Sequence, residues 1–135
     1  MEPVTELRVS ITVSDFERLR TFYRDAVGLT ETQSWEVHGH GVVFDVGRAT
    51  LELIDEEHAE FVDEVEVGRP VATGGIRLAL AVPDPVAAAA ALVAGGAELL
   101  GEPRPTPWGD VNARTQPPEG PQVTVFTAPP TTGAP

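Results

Sequence analysis

Two imidazoles one residue apart, in His38-Gly39-His40, have the spacing of a metal chelate, because alternate residues of a strand project to one face. The intervening glycine and Gly41 after it fit a hairpin tip better, and there both rings would face water. His58 stands apart in an acidic run. With no cysteine in the chain, thiolate metal sites, disulfides and cysteine nucleophiles are excluded. No serine sits on a strained elbow in Ser-His-Asp order. The glycines at 28, 47, 68, 74, 75, 95, 96, 101, 109 and 120 read as turn residues rather than as a phosphate-cradling loop. Nucleophilic catalysis therefore has no support in the sequence.

Arginine and aspartate recur in a more ordered way. Arg8-Val-Ser-Ile-Thr-Val-Ser-Asp15 has the same order of signals as Arg77-Leu-Ala-Leu-Ala-Val-Pro-Asp84, about half the chain later. Each alternates like a strand and leads into a helical pattern. In the first helix Phe16, Leu19, Phe22, Tyr23, Ala26 and Val27 form a stripe, with Ser14 and Glu17 spaced as a capping box and Gly28 as the stop. Asp84 caps the second, Pro85 opens it, and Gly95-Gly96 closes it. Three strand segments follow each helix, at 30–36, 41–46 and 49–54, and at 98–101, 111–115 and 122–127. The expected fold is α+β, with two βαβββ modules.

Alternation assigns faces. Val9, Ile11 and Val13 oppose Arg8, Ser10 and Thr12; Leu78, Leu80 and Val82 oppose Arg77, Ala79 and Ala81. Leu51 and Leu53 oppose Thr50, Glu52 and Ile54, while Val123 and Val125 oppose Gln122, Thr124 and Phe126. The apolar sides belong under the helices, and the others share one surface.

The 135 residues suit a single domain over 1–127, with module one at about 6–55, an acidic linker at about 55–72 and module two at about 73–127. The linker acids read as a solvated loop or short helix, and 128–135 as a frayed tail. A net charge of −12 argues against nucleic acid and anionic membrane surfaces as partners. The apolar stretch 86–97 falls short of the roughly 20 residues that cross a bilayer. The first residues do not read as a secretory signal, so a cytoplasmic location is expected.

The segments VSDFERLRTFYRDAVGL, ATLELID, IRLALAVPD, GGAEL and PWGDVNARTQPPEGPQVTVF resemble, in order, landmarks of the glyoxalase, bleomycin resistance protein and extradiol dioxygenase superfamily, the vicinal oxygen chelate fold. The resemblance spans about residues 6–127. It implies mixed sheets curling around a shared cavity, often completed by a second chain in a homodimer. In members that use a metal, first and last strands of each module supply the ligands. Those positions look like Arg8, Glu52, Arg77 and Thr124, of which only Glu52 suits a metal, since guanidinium offers no usable lone pair. Each arginine would also repel a dication by about 8 kcal/mol at ~4 Å and an effective dielectric of ~20.

No metal and no cofactor are therefore expected. In the metal's place the sequence suggests Glu52 bridged by Arg8 and Arg77, acting either as a brace or as a grip on a ligand carboxylate, phosphate or carbonyl. Trp108 resembles the family's pocket-lining tryptophan-glycine loop and reads as a stacking surface or a loop anchor. Trp35 and Phe44 border the expected cavity or fill core; Thr12, Gln122 and Thr124 share its polar surface. Arg114, on the same strand side as Asn112, could face cavity or solvent. The expected function is metal-free small-molecule binding, resembling bleomycin-type antibiotic resistance proteins that sequester a ligand. The alternative is a metal-independent lyase or isomerase with Glu52 as general base.

Overall fold

The computed structural model describes residues 5–72 and 74–127. The tail at 128–135 lies outside the described residues. In order come α1 (Phe16–Thr21), which continues as a π-helical turn (Phe22–Ala26), β1 (Thr30–Trp35), β2 (Gly41–Asp45), α2 (Glu56–Glu66), β3 (Leu78–Ala81), α3 (Pro85–Ala94), β4 (Glu98–Pro105), β5 (Val111–Gln116) and β6 (Val123–Phe126). Among the described residues no helix is long and apolar enough to cross a membrane.

The second half has the expected βαβββ order. Its sheet runs β3-β6-β5-β4, with β3 parallel to β6 and the other neighbours antiparallel. Asp84 caps α3 by accepting from the backbone N–H groups of Val86 and Ala87, and Pro85 occupies the first turn. The alanine-rich helix then lies close to one sheet face, where Ala89 and Leu92 meet Ala97, Ala113, Val123 and Val125. Phe22 completes this cluster from the first half. Burial of each large side chain there contributes roughly 1.5–3 kcal/mol.

The first half is less complete. β1 and β2 form a separate antiparallel hairpin with a register shift between Glu31 and Gln33. Residues 5–13 and 46–55 are in neither helix nor strand, although strands were expected at 8–13 and 49–54. Two sheets, one of two strands and one of four, thus stand where a curled sheet was expected. His38 and Gly39 lie in the turn between β1 and β2 with φ of 55° and 97°, so the His-Gly-His segment is a hairpin tip.

Contacts across the halves fix the start of α1. Asp15, rather than Ser14, is its N-cap, accepting from Arg18 N. Ser14 is used differently: its N–H and hydroxyl donate to Glu119 Oε1 at 2.8 and 2.9 Å, and Asp15 N donates to Oε2 at 2.8 Å. Those backbone and hydroxyl donors, with Arg18 nearby, hold the Glu119 carboxyl below its ordinary pKa. A depressed folded-state pKa contributes stability above the unfolded value, and that contribution is lost as pH falls through the folded value. Glu119→Gln should lower the urea midpoint at neutral pH, with the gap to wild type closing as pH falls below the ordinary glutamate range. Equal midpoints at neutral pH would show that the clamp contributes nothing.

Candidate functional site

The apolar face of β3-β6-β5-β4 is taken by α3, so strand alternation sends Asn112, Arg114, Gln122 and Thr124 to the opposite face. Register places Arg114 beside Thr124, and Arg77 lies one residue before β3. Over this face lies α2. Asp55 caps it by accepting from His58 N at 2.9 Å. Asp63 and Glu66, three residues apart on one side of the helix, turn toward the sheet and are buried. Their acidic neighbours Glu56, Glu57, Glu60 and Glu64 are exposed.

Gly101 permits this seating. It was expected at a turn, but it is buried inside β4, and a Cβ there would collide with the Glu66 carbonyl oxygen. The missing side chain lets the helix backbone approach the strand directly.

Arg114 is the centre of the network and has 0% exposure. Its Nε donates to Glu66 Oε1 at 2.9 Å and to Thr124 Oγ1 at 3.1 Å. Nη1 donates to Gln122 Oε1 at 2.8 Å, and Nη2 donates to Asp63 Oδ1 at 3.1 Å and lies 2.8 Å from Glu66 Oε1. The Thr124 hydroxyl donates to Glu66 Oε1 at 2.8 Å, and Asn112 Nδ2 to Glu66 Oε2 at 2.7 Å. Arg77 Nη1 donates to Asp63 Oδ1 at 2.8 Å. Two guanidiniums and two carboxylates cancel in charge, as burial at this depth requires.

The expected site residues divide between this network and elsewhere. Arg77, Gln122 and Thr124 belong to it. The carboxylate on Arg77 is Asp63, supplied by the segment read as a solvated linker. Arg8 is exposed and pairs with its neighbour Glu6, with Nε 2.8 Å from Oε2. Thr12 is exposed, and Glu52 is exposed in the extended 46–55 segment. Trp35 lies with its ring over Gly41, and Phe44 is half-buried with its ring 6.4 Å from Tyr23. Trp108 is 42% exposed in the β4–β5 turn, its ring 6.3 Å from that of Phe61 on α2. Next to it Asp110 is buried, which raises its carboxyl pKa against a hydrogen bond from Trp108.

Asp63, Glu66 and the burial of Arg114 were missed in the sequence. Their signal was the matching parity of Asn112 and Arg114, together with acids three apart in a helix-compatible stretch. Among the described residues no group of three or more His, Asp or Glu side chains could hold a metal ion.

Residues 7–125 match the family described as the Glyoxalase/Bleomycin resistance protein/Dioxygenase superfamily. The chain belongs to this superfamily. A superfamily member from Sphaerobacter thermophilus is 21% identical with a TM-score of 0.61, the match covering 93% of this chain and 98% of that one. A hypothetical protein from S. aureus is 19% identical with a TM-score of 0.59, over 86% and 88% of the two chains. A superfamily enzyme from Burkholderia phytofirmans is 17% identical with a TM-score of 0.58, over 85% and 91%. At such identities these likenesses concern the fold of the superfamily alone. No curated protein matches the chain.

Proposed function

We propose that this superfamily member is a small-molecule-binding protein that works without a metal ion and sequesters its ligand in a cavity formed by the polar faces of its sheets in a homodimer. The observation that carries the reading is Arg114, a guanidinium withdrawn from water between α2 and the sheet face opposite α3. A sheet face with a few fixed polar groups, here Arg77, Arg114, Asn112, Gln122 and Thr124, covered in this structure by α2, has the donors a small-molecule site needs. It does not suit a divalent ion, because guanidinium has no lone pair to donate and repels the charge. Trp108 and Trp35 supply exposed flat rings for stacking. Sequestration, as in bleomycin-type resistance proteins, is the mode of action proposed, and the cytoplasm is the proposed location.

Ligands that raise the melting temperature identify what binds, and mass spectrometry of each after prolonged incubation separates storage from turnover. The proposal expects unaltered ligand. Product whose formation is lost in Glu52→Gln would overturn it in favour of a lyase or isomerase. A stoichiometric metal ion in protein purified without chelators would overturn the metal-free part.

Homodimerisation is supported by the incomplete first half. Leu51 and Leu53 are 74% and 86% exposed, and Leu7 and Val9 are also exposed, all in segments without strand partners among the described residues. Apolar residues in extended chain beside a two-stranded sheet are suited to pairing with a second copy. Leu51→Asp with Leu53→Asp should weaken self-association by at least about tenfold in sedimentation equilibrium. A wild-type chain that stays monomeric at high concentration would refute the dimer.

A further inference from the structure

We infer that the polar face of the four-stranded sheet is a binding site for a small dicarboxylate, held shut in this structure by α2, whose Asp63 and Glu66 stand in the places of the ligand's two carboxylates. The inference rests on the small-molecule-binding reading and names the ligand class.

The division of donors and acceptors is the first argument. Arg114, Asn112 and Thr124 are carried by β5 and β6, and Arg77 lies immediately before β3. All four donate to oxygens of α2: Arg77 and Arg114 to Asp63 Oδ1, and Arg114, Thr124 and Asn112 to Glu66. The backbones of these donors belong to the sheet or to the residue before β3, and Arg114 is also held from the sheet by Gln122 and Thr124. When α2 lifts, Asp63 and Glu66 leave with it, and the Arg114 fork, the Thr124 hydroxyl and the Asn112 amide lose the carboxylates they now donate to. A free dicarboxylate offers four oxygens, enough to replace the three that the helix now provides, Asp63 Oδ1 and both Glu66 carboxylate oxygens.

The seat of α2 is the second argument. A surface helix ordinarily docks through an apolar stripe. Here the helical residues that reach full burial are Asp63 and Glu66, joined by the C-cap Val67, while Phe61 is half exposed and Val62 and Val65 only partly covered. A helix latched by carboxylates can be exchanged for other carboxylates, whereas one seated on hydrocarbon would gain nothing by the exchange. Gly101 adds to this, since the strand offers Glu66 backbone contact without a side chain to grip.

Asn112 sharpens the ligand class. Its Nδ2 donates to Glu66, but its buried Oδ1 has no partner among the described residues. An acceptor so placed favours a ligand with a hydroxyl donor beside a carboxylate, because an unmet buried acceptor costs stability. Malate should therefore bind better than succinate, and both better than inorganic phosphate.

The full chain is titrated calorimetrically with malate, succinate and phosphate, while amide hydrogen exchange is followed over residues 56–67. In the wild type, malate should bind and raise exchange across α2. Glu66→Gln, which removes one resident charge, should tighten malate at least tenfold. Arg77→Gln, at a partly exposed position, should weaken it at least tenfold. If Glu66→Gln fails to fold, Gly101→Ala provides the same opening with both acids in place, by the collision at the Glu66 carbonyl. Malate binding that leaves α2 exchange unchanged overturns the displacement. An opened helix with no carboxylate binding overturns the site. Ligands without carboxylates that bind undisturbed in Arg77→Gln would sustain the small-molecule reading while refuting this one. Malate that binds and is converted would refute sequestration but leave the site standing.

Discussion

Arg114→Met should destabilise the chain by about 3–5 kcal/mol, measured as the unfolding free energy in urea at neutral pH. Methionine fills similar space but supplies no donor. Asp63 and Glu66 would lose their shared cation while still packed against the sheet, and Gln122 and Thr124 would each lose a hydrogen bond. The cost is chiefly that of stranding the Glu66 carboxylate away from water, since Asp63 keeps Arg77, and not the strength of any one ion pair. Arg114→Met combined with Glu66→Met should accordingly regain a large part of the loss, because removing both partners removes the unmet charge. A single-variant loss below about 1 kcal/mol would mean that water reaches these acids and that α2 does not seal the face.

Phe22→Ala should cost about 3–5 kcal/mol in the same assay. The ring is 2% exposed and meets Tyr23 edge-on at 5.1 Å. It stands in a π-helical turn, where Val27 N donates to Phe22 O, and it belongs to the cluster beneath α3. That makes it the large aromatic of the first half inserted into the core of the second. Close approach continues at Gly95, where an added Cβ would strike Ala26. The variant should unfold at lower urea in a single transition. Two separate transitions, with the second half unaffected, would show that the halves do not share this core.

The second half was readable because its signals are local. Alternation in 77–82, the Asp84-Pro85 start and the Gly95-Gly96 stop each act within a few residues, and the structure forms strand and helix there. The first half has the same alternation in Val9, Ile11 and Val13 and in Leu51 and Leu53, yet neither stretch is a strand. Alternation states which face a strand would bury, but a ladder also needs a neighbour, and periodicity carries no information about one. The acidic run failed for a related reason. Glu56, Glu57, Glu60 and Glu64 behave as a charged run ordinarily does and stay in water. Asp63 and Glu66 depart from it because Arg114, about fifty residues away, overrides the local preference. The Arg8, Glu52 and Arg77 grouping assumed that strand position decides which charges meet. In the structure Arg8 instead takes the carboxylate two residues away, and Arg77 takes one from the intervening helix.

The stretches 5–13 and 46–55, in neither helix nor strand among the described residues, bear on how the chain would be degraded. Extended, exposed backbone is the form in which proteases bind their substrates, so these are the places where a degradative enzyme would cut first. If partner copies cover them, mass action makes turnover depend on dosage: sparse chains are cleared and abundant ones persist. The cell would then keep the protein only when enough of it has been made.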